Sequence, residues 1–214
     1  MRIYAVTPLH VGAQELARRQ ERYDWIAPDG VVVDLHDLPF GAPMSLETPA
    51  DMRSSERYVV EALAGAPAGY DAVMPDCVLD PGVAAMQADP AFGIVIGVLR
   101  VTVAHAAAVG ETVAAVVRNT AIADEMRAVV DGYGWGAVVT PVRTLDLDFA
   151  AVADGDRWRE RLAGAAAELA GSGAAALING CSAVGLGAAE GAAPIPVVDP
   201  VIRTLRLVAA GAAA

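Results

Sequence analysis

Asp71-Ala-Val-Met-Pro-Asp76-Cys77-Val-Leu-Asp80-Pro81-Gly82 is a short apolar run that ends in a cysteine and opens into a turn. It reads as a strand over Ala72–Met74 followed by a helix over Gly82–Gln87, with Asp80-Pro81 as N-cap and first-turn pair. That leaves the sulfur at the carboxyl end of the strand, the edge of an open α/β sheet where ligands bind. A second stretch repeats the pattern: Ala175-Ala-Leu-Ile-Asn179-Gly180-Cys181-Ser182-Ala-Val-Gly185. These hold the only two cysteines of the chain, 104 residues apart. One thiol in each half suggests a pair facing across a cleft, able to take a proton from one face of a carbon and return it to the other.

Working outward, similar apolar runs recur at Arg2–Val6, Val31–Leu35, Gly93–Val98, Thr112–Val117, Gly136–Thr140, Ala174–Ile178 and Pro194–Val198. Helical character falls between them, at Gln14–Tyr23, Ser54–Ala64, Val101–Ala108, Ala121–Gly132 and Asp156–Ala170. The runs are continuously apolar rather than alternating, as parallel strands covered on both faces are. Strand–helix alternation throughout predicts α/β with parallel sheets. The spacing of the two cysteines predicts two similar halves, each with about four strands and one cysteine-bearing loop. The first comprises residues 1–98 plus 199–214 and carries Cys77; the second, residues 99–198, carries Cys181. The final segment Asp199–Leu207 returns to the first domain, and the Ala-Gly tail from Ala209 is expected to fray.

Composition narrows the chemistry. All 15 basic residues are arginine. Without lysine there is no pyridoxal phosphate Schiff base and no phosphate loop ending in Lys-Ser or Lys-Thr. With 55% hydrophobic residues and only 5% aromatics, the core is expected to be close-packed and aliphatic. A net charge of −11 argues against nucleic acid and against an anionic membrane surface. Phe92 to Val109, the longest apolar region, contains Arg100 and His105, whereas a membrane span needs about 18 or more uninterrupted apolar residues. Met1–Val6 reads as a strand rather than a signal peptide, so a cytoplasmic location is expected. Two cysteines can form one disulfide; free thiols are the expectation in a reducing compartment. Three scattered histidines, His10, His36 and His105, make no metal site. The glycines of Gly180–Gly191 do not have the spacing of a dinucleotide fingerprint.

Four stretches resemble the aspartate/glutamate racemase superfamily, and within it the hydantoin racemase branch. Asp71-Ala-Val…Cys77-Val-Leu-Asp80-Pro81-Gly82 is similar to the first cysteine motif, and Gly41-Ala-Pro43-Met-Ser45-Leu-Glu47 to a Gly-Pro-x-Ser-Ile-Glu segment. Gly180-Cys181-Ser-Ala is similar to Gly-Cys-Ala-Gly, and Pro196-Val-Val-Asp199 to Pro-Val-Ile-Asp. The resemblance implies two pseudo-symmetric parallel-sheet α/β domains with the active site in the cleft between them. It also implies proton transfer without a cofactor, with Cys77 and Cys181 as the two acid/base groups and a small molecule as substrate. Superfamily relatives often associate, which leaves a homo-oligomer open. Related cis–trans isomerases and decarboxylases belong to the same superfamily; arylmalonate decarboxylases lack the first cysteine, so the pair favours racemisation or isomerisation. Two departures stand out. Thr7-Pro8-Leu9-His10 replaces Asn-Pro-Asn and a hydroxyl residue, and Leu99-Arg100-Val101 replaces Gly-Glu-Ala. A changed substrate, carrying its own carboxylate, is one hypothesis.

The reading is therefore a racemase or epimerase acting on an acidified C–H in a hydantoin-like cyclic amide or amino-acid derivative. The alternatives are a cis–trans isomerase of an unsaturated diacid, a decarboxylase, or a ligand-binding domain without turnover. A cysteine is a base only as thiolate, and its unperturbed pKa is about 8.5. One thiolate and one thiol would titrate as a pair. The competing reading makes both cysteines small core residues. Candidate substrate contacts are Thr7, His10, Ser45, Asn119, Thr120, Asn179 and Ser182. His10 is read as a carboxylate ligand or proton relay, or else an exposed loop residue. Ser45 shapes the pocket or belongs to a turn. Asn119 and Thr120 offer donors after the strand Thr112–Val117, and Asn179 and Ser182 offer them beside Cys181. Arg100 is a permanent cation available to an anionic group. Asp80 reads as a helix cap, and Asp76, whose charge would oppose a thiolate, is left out of the acid/base set.

Overall fold

Parallel pairing organises every described strand of the chain. The computed structural model describes residues 1–186 and 193–212, so residues 187–191 of the glycine-rich stretch lie outside the described residues. The chain divides into two compact units, Met1–Val101 with Val201–Ala214, and Thr102–Pro200.

In the first unit the strands are β1 (Arg2–Val6), β2 (Val32–His36), β3 (Ala72–Pro75) and β4 (Ile94–Val95), in the order β2-β1-β3-β4. All three pairings are parallel, with Val6 beside both His36 and Pro75. The helices are α1 (Ala13–Ile26), α2 (Pro49–Ala64), α3 (Val83–Ala88) and the start of α4 (Val98–Ala108), with α7 (Pro200–Ala212) from Val201 onward. Val6, Val59, Leu63, Val83, Met86 and Val95 form a buried cluster in which α2 and α3 cover the sheet. Each such side chain contributes about 1.5–3 kcal/mol through its removal from water.

In the second unit the strands are β5 (Val113–Val117), β6 (Val139–Thr144), β7 (Ala176–Asn179) and β8 (Val197–Val198), in the order β6-β5-β7-β8. Helices α5 (Thr120–Gly132) and α6 (Gly155–Leu169) follow β5 and β6. Trp158, Leu162, Leu145, Leu177 and Val197 are buried in one cluster. The order matches that of the first unit, strand for strand, so β3 and β7 hold equivalent places and each runs into a cysteine. The protein is thus α/β with two four-stranded parallel sheets.

Several elements differ from the sequence reading. The strand expected over Gly93–Val98 is two residues long, because helix α4 starts at Val98. The strand expected over Gly136–Thr140 lies instead at Val139–Thr144, since the backbone N–H groups of Val138 and Val139 turn back onto the Trp135 carbonyl. β6 is an edge strand, where Pro141 is tolerated. Helix α2 begins five residues earlier than expected, held by a capping box between Thr48 and Asp51 with Pro49 in the first turn. Of the tail expected to fray, Ala209 to Ala212 are helical as the last turn of α7.

Candidate active site

A sheet ordered 2-1-3-4 reverses direction between its first and third strands, and the carboxyl ends of that pair are where α/β sheets bind ligands. In the first unit this point lies between the loop after β1, which holds Thr7 and His10, and the loop after β3, which holds Cys77. In the second it lies between the residues after β5, Arg118 to Thr120, and the loop after β7, which holds Cys181.

Cys77 is a free thiol, 6% exposed. The backbone N–H of Leu79 points at its Sγ from 3.4 Å, a donor that stabilises negative charge on sulfur. Asp76 immediately precedes the thiol in the chain. Its carboxylate is buried, accepts from the Tyr23 hydroxyl at 2.8 Å and faces the Arg19 guanidinium at 3.4 Å. Burial, and after it the Asp76 charge, push the Tyr23 phenol well above its ordinary value. Arg19 and Tyr23 lie four residues apart on α1 and escaped the sequence reading, which had no means of pairing them with a residue over 50 positions away.

Asp80 is a cap, but for a different helix from the one expected. Its Oδ1 and Oδ2 accept the backbone N–H groups of Leu99 (3.0 Å) and Arg100 (2.7 Å), in the first turn of α4. Helix α3 is preceded instead by Gly82, in the left-handed region at φ 72°. The Asp80 backbone is itself left-handed at φ 49°, which aims the side chain at α4 rather than α3. Gly97 makes room for it: a Cβ there would sit 2.8 Å from Asp80 Oδ2. The Leu99-Arg100-Val101 departure thus falls on the turn that Asp80 holds, and the sequence motif after Cys77 ties the ends of β3 and β4 together.

The loop after β1 is knitted by Asp37, a residue the sequence reading passed over. Its carboxylate accepts from the backbone N–H groups of Val11 (2.9 Å) and Gly12 (2.8 Å) and lies 3.0 Å from His10 Nδ1. Thr7 is 0% exposed, and its hydroxyl lies 2.7 Å from the Leu9 carbonyl and 3.1 Å from Asp37. His10 Nδ1 is also 2.8 Å from the Leu38 carbonyl, and the His10 backbone N–H donates to Pro43. That bond joins the loop to the Gly41–Glu47 segment, in which Ser45 is half-buried. His36 closes β2 stacked on Tyr4 at 4.2 Å, and His105 lies within α4.

In the second unit Cys181 is a free, half-buried thiol. Asn179 is 0% exposed: its Oδ1 accepts from Trp158 Nε1 (2.9 Å), and its Nδ2 donates to the Cys181 (3.2 Å) and Val184 (3.0 Å) carbonyls. The side chain thereby shapes the cysteine loop from within. Gly180 lies so close to β5 that a Cβ would overlap the Val116 carbonyl oxygen and meet Val117 Cγ1 at 2.6 Å. Ser182 is buried beside it. Asn119 caps α5 by accepting from Ile122 N–H at 2.9 Å, and Thr120 is exposed in the first helical turn. Arg118, buried at the carboxyl end of β5 with its guanidinium 5.6 Å over Phe149, also went unread; its one signal was a charge ending an apolar strand.

Among the described residues no cluster of three or more His, Cys, Asp or Glu is placed to hold a metal ion, and no helix is long and apolar enough to cross a membrane.

This chain belongs to the Asp/Glu/hydantoin racemase family, whose profile matches residues 14–208, and is therefore a racemase-type isomerase with a small-molecule substrate. Among solved structures it is similar to the allantoin racemase from Klebsiella pneumoniae, at 22% identity and a TM-score of 0.78, covering 100% of this chain and 88% of that one. It is also similar to the allantoin racemase from Pseudomonas fluorescens, at 17% identity and a TM-score of 0.86, covering 100% and 91%. A Nocardia farcinica maleate cis–trans isomerase carrying a covalently bound succinylcysteine intermediate aligns at 16% identity and a TM-score of 0.67, covering 99% and 92%. At these identities the likeness speaks for the fold. No curated protein matches the chain.

Proposed function

We propose that the protein racemises a hydantoin-like ureide ring without a cofactor, with Cys77 and Cys181 exchanging the proton at the carbon beside the ring carbonyl. The observation that carries this reading is the repetition of one device. Each unit has a free cysteine directly after the strand that flanks its topological switch point. One sulfur starts as thiolate and removes the proton, while the other, as thiol, delivers its own proton to the opposite face. The carbanion's charge passes to the neighbouring carbonyl oxygen, which needs a hydrogen-bond donor. Backbone N–H groups of the two cysteine loops are the natural source. The ring chemistry is favoured by the two allantoin racemases among the structural relatives, allantoin being a hydantoin substituted at the reacting carbon.

Enantiopure 5-substituted hydantoins in D₂O test this directly. Loss of the ring C–H proton signal in step with loss of optical rotation is the expected result. Retention of both at high protein concentration would overturn it. A second reading, cis–trans isomerisation of an unsaturated diacid by thiolate addition, draws on the relative with a succinylcysteine. Conversion of maleate to fumarate by the same preparation decides between them.

A further inference from the structure

The loop after β1 fixes which nitrogen of His10 carries a hydrogen. Both atoms facing Nδ1 are oxygens, the Leu38 carbonyl at 2.8 Å and the Asp37 carboxylate at 3.0 Å. The Leu38 carbonyl has no proton to give, so Nδ1 is the N–H. Asp37 is held in turn by the backbone of Val11 and Gly12 and lies beside the Thr7 hydroxyl, which keeps its carboxylate in place. A neutral imidazole has one N–H, so the other ring nitrogen, Nε2, presents a lone pair. Among the described residues Nε2 has no protein hydrogen-bond partner, and the side chain is 27% exposed. Phe40, 92% exposed, is an apolar neighbour of the imidazole, with ring centroids 6.0 Å apart and ring planes at 81°.

An acceptor with an apolar neighbour, at the same sheet edge as Cys77, selects for a donor. We propose that His10 Nε2 accepts a hydrogen bond from an N–H of the substrate ring and so sets the preference for ureides over carboxylates. The assignment rests on the racemase reading above and sharpens it. It also reverses the sequence expectation of a carboxylate ligand, because a carboxylate would meet Nε2 lone pair to lone pair. A ring amide, with N–H and C=O side by side, offers the donor His10 needs and still leaves a carbonyl to take up charge.

The experiment compares a 5-substituted hydantoin with its 1-methyl and 3-methyl derivatives. His10→Asn keeps a donor where Nδ1 stands and removes the acceptor; His10→Gln supplies an amide oxygen near the position of Nε2. His10→Asn is expected to lower kcat/KM on the parent ring about tenfold, mainly through KM, as loss of one hydrogen bond does. On the ring whose contacted nitrogen is methylated, the same variant should change nothing further, and His10→Gln should recover most of the parent activity. Loss by one common factor on all three rings, or none on the parent, overturns the assignment while leaving the racemase reading intact. Failure of the wild-type protein to exchange the C–H of any of the three rings overturns both.

Discussion

Asp80 and Leu99 are joined by a 3.0 Å hydrogen bond from the Leu99 backbone N–H to the Asp80 carboxylate. The bond links the exit of β3, three residues after Cys77, to the first turn of the helix that follows β4. Together with the Arg100 N–H it satisfies two of the donors every helix start leaves open. Asp80→Ala strands both and is expected to cost about 1–3 kcal/mol of unfolding free energy. Urea denaturation followed by far-ultraviolet circular dichroism measures it, and Asp80→Asn, which keeps an acceptor, should lose less.

Removal of either thiol tests the two-sulfur chemistry. Cys77→Ser and Cys181→Ser should each lower racemisation at least about 10²–10⁴-fold, the range a positioned acid or base supplies. Full turnover in both variants, read by polarimetry, would sink the mechanism.

Asn179 separates a structural role from a substrate contact. Asn179→Leu strands Trp158 Nε1 in the core and releases the Cys181 and Val184 carbonyls, so a loss of about 1–3 kcal/mol is expected. A variant as stable as wild type but weaker in KM would show that the amide faces substrate instead.

Gly180→Ala forces the cysteine loop away from β5. Overpacking of this kind costs about 1–3 kcal/mol, and the shift should also displace the neighbouring Cys181. The expected pattern is a lower melting temperature together with a reduced kcat.

The buried Tyr23 predicts sensitivity to alkali. Its phenol ionises at higher pH in the folded protein than in the unfolded chain. The folded state therefore holds the proton longer, and the stability tied to that proton is complete below the unfolded value of about 10. Above that pH it falls by up to about 1.4 kcal/mol per pH unit until the folded phenol itself ionises. Denaturation midpoints from pH 9 to 11.5 should drop more steeply for wild type than for Tyr23→Phe.

The fold was legible where information is local. Continuous apolar runs such as Val113–Val117 mark buried parallel strands whatever lies around them, and the sequence of elements then leads to α/β. Short edge pieces such as Ile94–Val95 were blurred, because an apolar run does not say where a strand ends and a helix begins. Thr48-Pro49-Ala-Asp51 was a readable start signal that went unused. The true partner of Asp80 was not readable: its cap lies 19 residues downstream, while a plausible but mistaken helix stood three residues away. The same holds for Asp37 with His10 and for Tyr23 with Asp76, pairs made by strand order rather than by spacing along the chain.

The second unit is inserted between Val101 and Val201 of the first, so the first to be started is the last to be completed. During synthesis β1 to β4 emerge early and wait for α7, whose buried Val201, Thr204 and Leu205 leave the ribosome only after all of Thr102–Pro200. Thr204 Oγ then closes onto the Val98 carbonyl at 3.1 Å, at the root of α4. A nascent chain stalled before α7 would hold both cysteines yet leave the Cys77 half without its closing helix.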